Sequence, residues 1–263
     1  MTLENVSRIV HTISMDSNMK NPLSLFGGSG YGLDGNQVLH TNPDNRPPNA
    51  ESAEFIKTTL RSATRFETDA DIFRYASDQV AVDGLFVELG TYKGRTANFL
   101  AALNPRKTIY TFDSYQGLPA NWDRGDLLVP GTLFAWPNGE ALPSFLLNVE
   151  LKQGWFSETL PKFVELHDEP IAFLHIDCDI YESTAQGLDI LGPRMADKSI
   201  ILFDEFYNYP NFRNHEYKAF QEFLEKYSFD ADYIAYNAFH EQVAVSIRAR
   251  TVSSSSPSPK ASR

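Results

Sequence analysis

Residues 84–90 read Gly-Leu-Phe-Val-Glu-Leu-Gly, a short apolar run that ends in glycine. A helical pattern over residues 95–103 follows, and residues 108–113 read Thr-Ile-Tyr-Thr-Phe-Asp, which has the composition of a second strand. Two strands joined through a helix form a βαβ unit, in which the strands run parallel. The stretch therefore predicts an α/β fold built on a parallel sheet.

The same rhythm returns later in the chain. Residues 171–177 and 199–204 are almost continuously apolar and flank a helical pattern over 183–195, as expected for strands buried on both faces of a sheet. Two further strands, 232–236 and 242–248, are separated by a short connection and predict a terminal hairpin. We expect a doubly wound, mostly parallel, seven-stranded sheet with an antiparallel C-terminal hairpin strand.

Two helical patterns, 51–64 and 69–82, precede the first strand and carry apolar residues at helical spacing. Together with the glycine- and proline-interrupted residues before them, they predict an N-terminal arm and helical cap over residues 1–82. Residues 83–250 form the main predicted domain, and the Ser- and Pro-rich residues 251–263 are expected to be disordered. The apolar stripes of the cap suit a homo-oligomer interface and intramolecular packing equally well.

The composition narrows the class of protein. Of the 263 residues 42% are hydrophobic, which is enough for a substantial core, and the net charge of -11 opposes binding to nucleic acid and to anionic membranes. Cys178 is the only cysteine, so the fold is built without an internal disulfide, and no apolar run approaches the ~20 residues that span a bilayer. We expect a cytoplasmic protein that binds small molecules.

The turn after the first strand has the chemistry of a nucleotide-type site. Gly90 and Gly94 let the backbone pass close to a ligand, and Asp113 ends the next strand, where a carboxylate accepts hydrogen bonds from ribose hydroxyls. Glu88 would repel a pyrophosphate but suits the positively charged end of an adenosyl sulfonium ligand. The spacing is shorter than the dinucleotide fingerprint, and a tight turn alone also needs glycine; the acids favour an adenosyl ligand.

Four carboxylates follow two neighbouring predicted strands. Asp177 and Asp179 end one strand, and Asp204 and Glu205 are expected in the turn after the next. Like charges at adjacent strand ends repel unless they are neutralised, and a hard divalent cation such as Mg²⁺ does so while leaving coordination positions open. Helix capping by Asp179 or Glu205 is the alternative. His175, inside the apolar strand, is interpreted as a core residue.

Residues 122–143 fit neither a helical nor a strand period. They contain glycines, prolines, Trp136 and several carboxylates. A substrate-side loop and a variable surface loop explain this composition equally well.

Four segments together carry a resemblance: residues 87–94 (VELGTYKG), 112–119 (FDSYQGLP), 153–161 (QGWFSETLP) and 174–184 (LHIDCDIYEST). They resemble the macrocin O-methyltransferase family, metal-dependent enzymes that methylate sugar hydroxyls in antibiotic biosynthesis. The resemblance runs from about residue 82 to residue 227 and implies a class I, Rossmann-like methyltransferase fold.

The resemblance also implies roles for residues. Asp177, Asp204 and Glu205 would hold Mg²⁺ or another divalent cation, and Asp179 would take the proton of the hydroxyl. The S-adenosylmethionine site would comprise Glu88, Gly90, Thr91, Gly94, Thr96, Asp113, Ser114, Gly154, Trp155 and Asp177. Where the family often has paired aspartates after the fifth strand, this sequence has aspartate followed by glutamate.

These expectations lead to one favoured function. It is methyl transfer from S-adenosylmethionine to a hydroxyl of a small molecule, a sugar or another polyhydroxylated natural product. Three competing functions stay open. A nucleotide-sugar glycosyltransferase would use an Asp-x-Asp pair such as Asp177 and Asp179 to hold its metal. A non-catalytic scaffold would keep the same fold without turnover, and a catechol-type methyltransferase would use similar metal chemistry on a planar diol.

Overall fold

The computed structural model describes residues 48–250. The predicted arm before residue 48 and the predicted disordered tail over residues 251–263 lie outside the described residues. No helix in the described part of the chain is long and apolar enough to span a membrane.

The described residues form helices and strands in the alternation that the sequence predicts. The helices are α1 (Ala50–Thr58), α2 (Asp69–Asp78), α3 (Arg95–Leu103), α4 (Phe156–Leu166), α5 (Tyr181–Leu191) and α6 (Glu216–Lys226). The strands are β1 (Thr64–Phe66), β2 (Leu85–Leu89), β3 (Ile109–Asp113), β4 (Trp122–Asp123), β5 (Leu128–Val129), β6 (Val149–Gln153), β7 (Ile171–Ile176), β8 (Met195–Phe203), β9 (Phe229–Asn237) and β10 (Val243–Ala249).

Eight of these strands form one sheet in the order β1-β9-β10-β8-β7-β2-β3-β6. Strand β10 runs antiparallel to both of its neighbours, whereas the other pairs are parallel. Every residue of β2 and β7, at the centre of the sheet, is buried, as expected where both faces are covered. The predicted doubly wound, mostly parallel sheet with an antiparallel C-terminal hairpin strand is confirmed.

The strand count and two helix ends differ from the prediction. The sheet has eight strands rather than seven, because β1 pairs with β9 at its edge and aligns Thr64 with Ala235. Helix α1 ends at Thr58 and α2 at Asp78, several residues before the ends predicted for them. A strand of three residues, two of them exposed, has too little alternation to be recognised in a sequence.

Helices cover both faces of the sheet. Along β2, Val87 contributes to one core cluster and Phe86 to the other, since successive side chains point to opposite faces. Residues of α1, α4, α5 and α6 belong to the first cluster, and residues of α2 and α3 belong to the second. The described part of the predicted N-terminal cap therefore packs directly on the sheet.

The ends of the two central strands approach each other closely at Gly90. This residue has a φ of 91°, and a Cβ atom placed on it would lie 1.6 Å from the carbonyl oxygen of Asp177. The amide of Asp177 donates to the carbonyl oxygen of Leu89 at 2.8 Å, so the two chain segments are bonded at this point. Only glycine fits here, because any side chain would separate the strand ends.

We expect Gly90→Ala to destabilise the protein by more than about 4 kcal/mol, since the new methyl group overlaps backbone atoms that have no room to move. Gly139→Ala is the matched control, because Gly139 also has a positive φ, 83°, but no atom lies within 4 Å of the place where its new methyl carbon would be. This control should lose only about 1 kcal/mol from backbone strain. Urea unfolding of both variants checks the difference, and equal losses would contradict the close-packing argument.

Candidate active site

A cleft of about 750 Å³ opens at the carboxyl ends of the central strands. This is the edge at which open α/β sheets bind ligands. Eight of the ten residues predicted to bind the cofactor line the cleft: Gly90, Thr91, Thr96, Asp113, Ser114, Gly154, Trp155 and Asp177. The predicted base Asp179 and the predicted metal ligand Asp204 line it as well. The structure thus brings most residues of the two predicted sites to one cavity; Glu205 is not among the residues that line it.

Asp113 holds the glycine turn in place. Its Oδ2 accepts hydrogen bonds from the amides of Thr91 at 2.9 Å and Tyr92 at 2.7 Å, and its Oδ1 accepts one from the amide of Tyr115 at 2.6 Å. A carboxylate has about four acceptor positions, so three are used within the protein. Asp113 therefore shapes the glycine turn in addition to facing the cleft.

Two predicted cofactor residues lie away from the lining of the cleft. Gly94 precedes α3 with a φ of 70°, and a Cβ atom there would lie 2.5 Å from Cε1 of Phe145, so close packing explains this glycine. Glu88 is fully buried within the sheet. Its Oε1 accepts a hydrogen bond from Oγ1 of Thr111, and its Oε2 lies 2.9 Å from Nδ1 of His175. Because side chains alternate along β2, Glu88 points to a buried face of the sheet, where its neighbours are Thr111 and His175.

The three predicted metal ligands lie together. One carboxylate oxygen from each of Asp177, Asp204 and Glu205 falls within 4.8 Å of the others. Strand β8 ends at Phe203, so Asp204 and Glu205 occupy the turn, as predicted. Oxygen ligands of this kind suit Mg²⁺. Oε2 of Glu205 is buried and has no hydrogen-bond partner in the described part of the protein, which fits an atom that binds a cation.

Backbone hydrogen bonds fix the turn that carries two of these ligands. The amide of Asp204 donates to the carbonyl oxygen of Ile176, and the amide of Phe206 donates to that of Glu241. Between them, the amide of Glu205 donates to Oε2 of Glu216 at 3.1 Å. The turn is therefore held by three separate parts of the chain.

Glu216 was not among the residues predicted from the sequence. It is the first residue of α6 and is fully buried, and its Oε1 has no hydrogen-bond partner among residues 48–250. Burial, together with the charges of Asp179 and Asp204, raises its pKa well above the ordinary value. The only sequence signal is an acid in the first turn of a helix, which is common without any function because it complements the helix dipole.

Burial and mutual repulsion dominate the electrostatics of the carboxylates. Burial and the charge of Asp204 raise the pKa of Asp179 to about 7, and they also raise the pKa of Asp177 and Glu205. Asp204 behaves differently: burial would raise its pKa, but the neighbouring His175 lowers it below the ordinary value. The cluster thus combines one carboxyl group whose pKa is lowered with three whose pKa values are raised, that of Asp179 to about 7.

His175 is the positive group beneath this cluster. It is fully buried, with Nδ1 near Glu88 and Nε2 3.8 Å from Oδ1 of Asp204. Burial alone would lower its pKa, but the two carboxylates raise it to about 10. His175 is buried, as the interpretation of it as a core residue implies. It also lies next to Asp204, a predicted metal ligand, which the sequence did not indicate.

The loop over residues 122–143 forms part of the cleft wall. It contains the β4–β5 hairpin, and Phe134 lines the cleft. Arg124 of the hairpin forms a two-point ion pair with Glu241, and its guanidinium carbon lies 4.3 Å from the ring centroid of Trp122. The loop is therefore anchored to the connection between β9 and β10, which favours the substrate-side interpretation over a variable surface loop.

Known proteins that resemble this chain in sequence or in fold include methyltransferases. Residues 87–206 match the family model of a methyltransferase domain, slightly less than half of the chain. A curated relative from Streptomyces olivaceus, 8-demethyl-8-(2,3-dimethoxy-alpha-L-rhamnosyl)-tetracenomycin-C 4'-O-methyltransferase, is 26% identical over 157 residues, which cover 52% of this chain and 59% of the relative. The chain thus aligns with little more than half the length of that relative.

Solved structures were compared with this one as well. The calicheamicin methyltransferase CalS11 superposes with a TM-score of 0.54 at 18% identity, over 92% of this chain and 91% of its own. The O-methyltransferase NovP has a TM-score of 0.49 at 21% identity, over 69% of this chain and 79% of its own. The similarity to CalS11 extends along nearly the whole chain and supports the Rossmann-like methyltransferase fold.

The metal-free protein should lose stability as the pH rises from about 5.5 to about 8.5. The raised pKa of Asp179, about 7, means that the folded form binds this proton more tightly, so its contribution is lost as the pH rises from 3.8 through 7. The contribution of protonated His175 is complete below pH 6.5 and is lost as the pH rises through about 10. The lowered pKa of Asp204 adds a contribution that is constant across this range.

Urea unfolding of chelator-treated protein at the two pH values measures this loss, which we expect to be on the order of 2–4 kcal/mol. Asp179→Asn should reduce the slope, because the variant lacks the group whose pKa is raised. Glu182→Gln, at another carboxylate that lines the cleft, should leave the slope unchanged. A stability that is flat or rises with pH would show that the acids are not buried as described.

Proposed function

We propose that this chain, whose residues 87–206 match a methyltransferase domain, is an S-adenosylmethionine-dependent O-methyltransferase of the macrocin O-methyltransferase kind that uses a divalent cation. The observation that carries the proposal is the shared cleft, which places the glycine turn beside the carboxylate cluster. A methyl donor at the turn and a hydroxyl at the cluster would then meet in one cavity, which is the alignment that methyl transfer requires.

The cofactor would bind along the strand ends from Gly90 to Trp155. The turn at Gly90 allows close backbone approach, and Asp113 presents a carboxylate toward the ribose position. Gly154, with a φ of 140°, and Trp155 form the far end of this wall, where the adenine would lie. Glu88 would act from beneath the turn through Thr111, rather than by direct contact with the ligand.

The carboxylates would prepare the acceptor. Asp177, Asp204 and Glu205 would hold Mg²⁺ or another divalent cation, which supplies a lowered pKa for a hydroxyl bound beside it. Asp179, whose pKa of about 7 suits a general base near neutral pH, would take the hydroxyl proton. The oxygen then bonds to the methyl carbon while the carbon–sulfur bond breaks, and adenosylhomocysteine leaves with an uncharged sulfur.

The acceptor would be a hydroxylated small molecule, a sugar or another polyhydroxylated natural product. The relative from Streptomyces olivaceus is named for methylating a rhamnosyl-tetracenomycin, which supports this class. The carboxylates that line the cleft and the net charge of -11 disfavour a nucleic acid acceptor, because both repel phosphates. No feature of the described residues favours the glycosyltransferase or the scaffold, so both serve as competing outcomes of the titrations described next. A cytoplasmic location completes the proposal.

Isothermal titration of chelator-treated protein with adenosylhomocysteine tests the cofactor class. We expect saturable binding at one site per chain, and no binding of a nucleoside diphosphate in the presence of Mn²⁺. Titration with Mg²⁺ alone should show a cation site that Asp177→Asn weakens, because one of three carboxylate ligands is lost. Binding of the nucleoside diphosphate without adenosylhomocysteine would instead support the glycosyltransferase, and binding of neither would support the scaffold.

Asp179→Asn should abolish most of the methyl transfer and leave binding of adenosylhomocysteine and Mg²⁺ intact. Loss of a general base costs about 10²–10⁴-fold in kcat. The rate is measured with the best acceptor from a panel of rhamnosides, other glycosides and catechols, and the panel also separates sugar from catechol specificity. Glu182→Gln, at the cleft but outside the cluster, should retain near-normal kcat; a wild-type kcat in Asp179→Asn would exclude it as the base.

A further inference from the structure

A row of buried polar side chains runs beneath the cleft, across neighbouring strands of the sheet. Oγ1 of Thr91, in the glycine turn, contacts Oγ1 of Thr111, which donates to Oε1 of Glu88 at 2.9 Å. Oε2 of Glu88 lies 2.9 Å from Nδ1 of His175, and Nε2 of His175 lies 3.8 Å from Oδ1 of Asp204. Direct cross-strand pairing places Thr111 and His175 on either side of Glu88.

The row fixes the orientation of the imidazole. Nδ1 of His175 forms a hydrogen bond with Oε2 of Glu88 at 2.9 Å. The His175 ring also packs edge-on against Phe73, with 4.7 Å between the ring centroids. The hydrogen bond to Glu88 and the packing against Phe73 hold the ring in one orientation. Nε2 then faces Oδ1 of Asp204 at 3.8 Å, an ion-pair distance, and is buried without a hydrogen-bond partner among residues 48–250.

Two side chains, Gln242 and His175, lie next to Oδ1 of Asp204. Its Oδ1 accepts a hydrogen bond from Nε2 of Gln242 at 3.0 Å and is the atom that faces His175. Gln242 is itself buried and held, because its Oε1 accepts from Nδ2 of Asn237 at 2.9 Å. Both contacts engage Oδ1, and one carboxylate oxygen of Asp204 lies within 4.8 Å of carboxylate oxygens of Asp177 and Glu205.

We propose that His175, oriented by Glu88, is a positioning residue that directs Asp204 toward a cation at the carboxylate cluster. The inference rests on the proposed function, because it assumes that the cluster binds a divalent cation. Packing alone does not explain why His175 and Glu88 are present. Two apolar side chains would fill the same space without the cost of burying charged groups. Residues that orient metal ligands from behind in this way typically contribute about 10–100-fold to metal affinity.

Two substitutions of His175 separate positioning from packing and from charge. Asn places an amide nitrogen near the position of Nδ1 and so keeps a donor for Glu88 while it loses the group that faces Asp204. Gln reaches farther and places an amide nitrogen near the position of Nε2. Both substitutions remove the positive charge and leave a polar side chain of similar size, so a difference between them reports the direction of the donor.

The measurement is titration of chelator-treated full-length protein with Mn²⁺ and with Mg²⁺. We expect His175→Asn to raise the metal Kd by roughly 10–100-fold and His175→Gln to raise it by less than about 5-fold. The Kd for adenosylhomocysteine should change by less than about 3-fold in both variants, and their thermal midpoints should be similar. Glu88→Gln is a milder third variant, in which we expect a rise of roughly 3–10-fold in metal Kd.

Each outcome decides between positioning and the competing roles of charge and packing. Wild-type protein that binds neither cation overturns the metal-dependent function and the positioning role together. Wild-type metal affinity in His175→Asn, with normal binding in the unsubstituted protein, overturns the positioning role alone. Equal losses of metal affinity in the Asn and Gln variants overturn it as well, because they show that charge rather than direction matters. If neither His175 variant folds, unchanged metal affinity in Glu88→Gln overturns it.

Discussion

The structure depends on the close approach of the two central strands where they end. Gly90 leaves β2 with a positive φ and lies against the carbonyl oxygen of Asp177, and the amide of Asp177 bonds to Leu89. This contact places the glycine turn beside the first acid of the carboxylate cluster. Asp113 holds the same turn through two backbone amides. The shape of this side of the cleft and the position of Asp177 therefore depend on one point of contact.

The charge distribution around that point is costly in the absence of a counterion. Four acids near Asp204, three of them buried and Asp177 half-buried, have raised pKa values, whereas His175 lowers the pKa of Asp204. A protein interior tolerates such an arrangement only where something offsets the repulsion. His175, next to Asp204, offsets part of this repulsion. The remaining acidity faces the cleft, which is the electrostatic basis for proposing a divalent cation there.

The loop over residues 122–143 is held by distant parts of the chain. The β4–β5 hairpin is held by the ion pair between Arg124 and Glu241, and the carbonyl oxygen of Asp123 accepts a hydrogen bond from Nδ2 of Asn211. Tyr92 of the glycine turn packs edge-on against Phe134 and Trp136 of the same loop. The loop therefore contacts the glycine turn through Tyr92. Its conformation is set by Glu241, Asn211 and Tyr92, which lie in three different segments of the chain.

The sequence by itself determined the alternation of strands and helices, the glycine turn and the placement of four acids at two strand ends. These features follow from local patterns, because apolar runs mark buried strands and parallel strands end at the same edge of a sheet. The same reasoning found Asp177, Asp204 and Glu205, which the structure brings within 4.8 Å.

Only the tertiary structure decided which way Glu88 faces, what His175 contacts and that Glu216 joins the cluster from the start of α6. The edge strand β1 and the anchoring of the hairpin were equally hidden from sequence reasoning. Each depends on a neighbour that lies far away in the chain, and the register that creates such neighbours is fixed by the packing of the whole sheet. Local patterns carry no record of that register, because a side chain has the same sequence context whichever distant partner it meets.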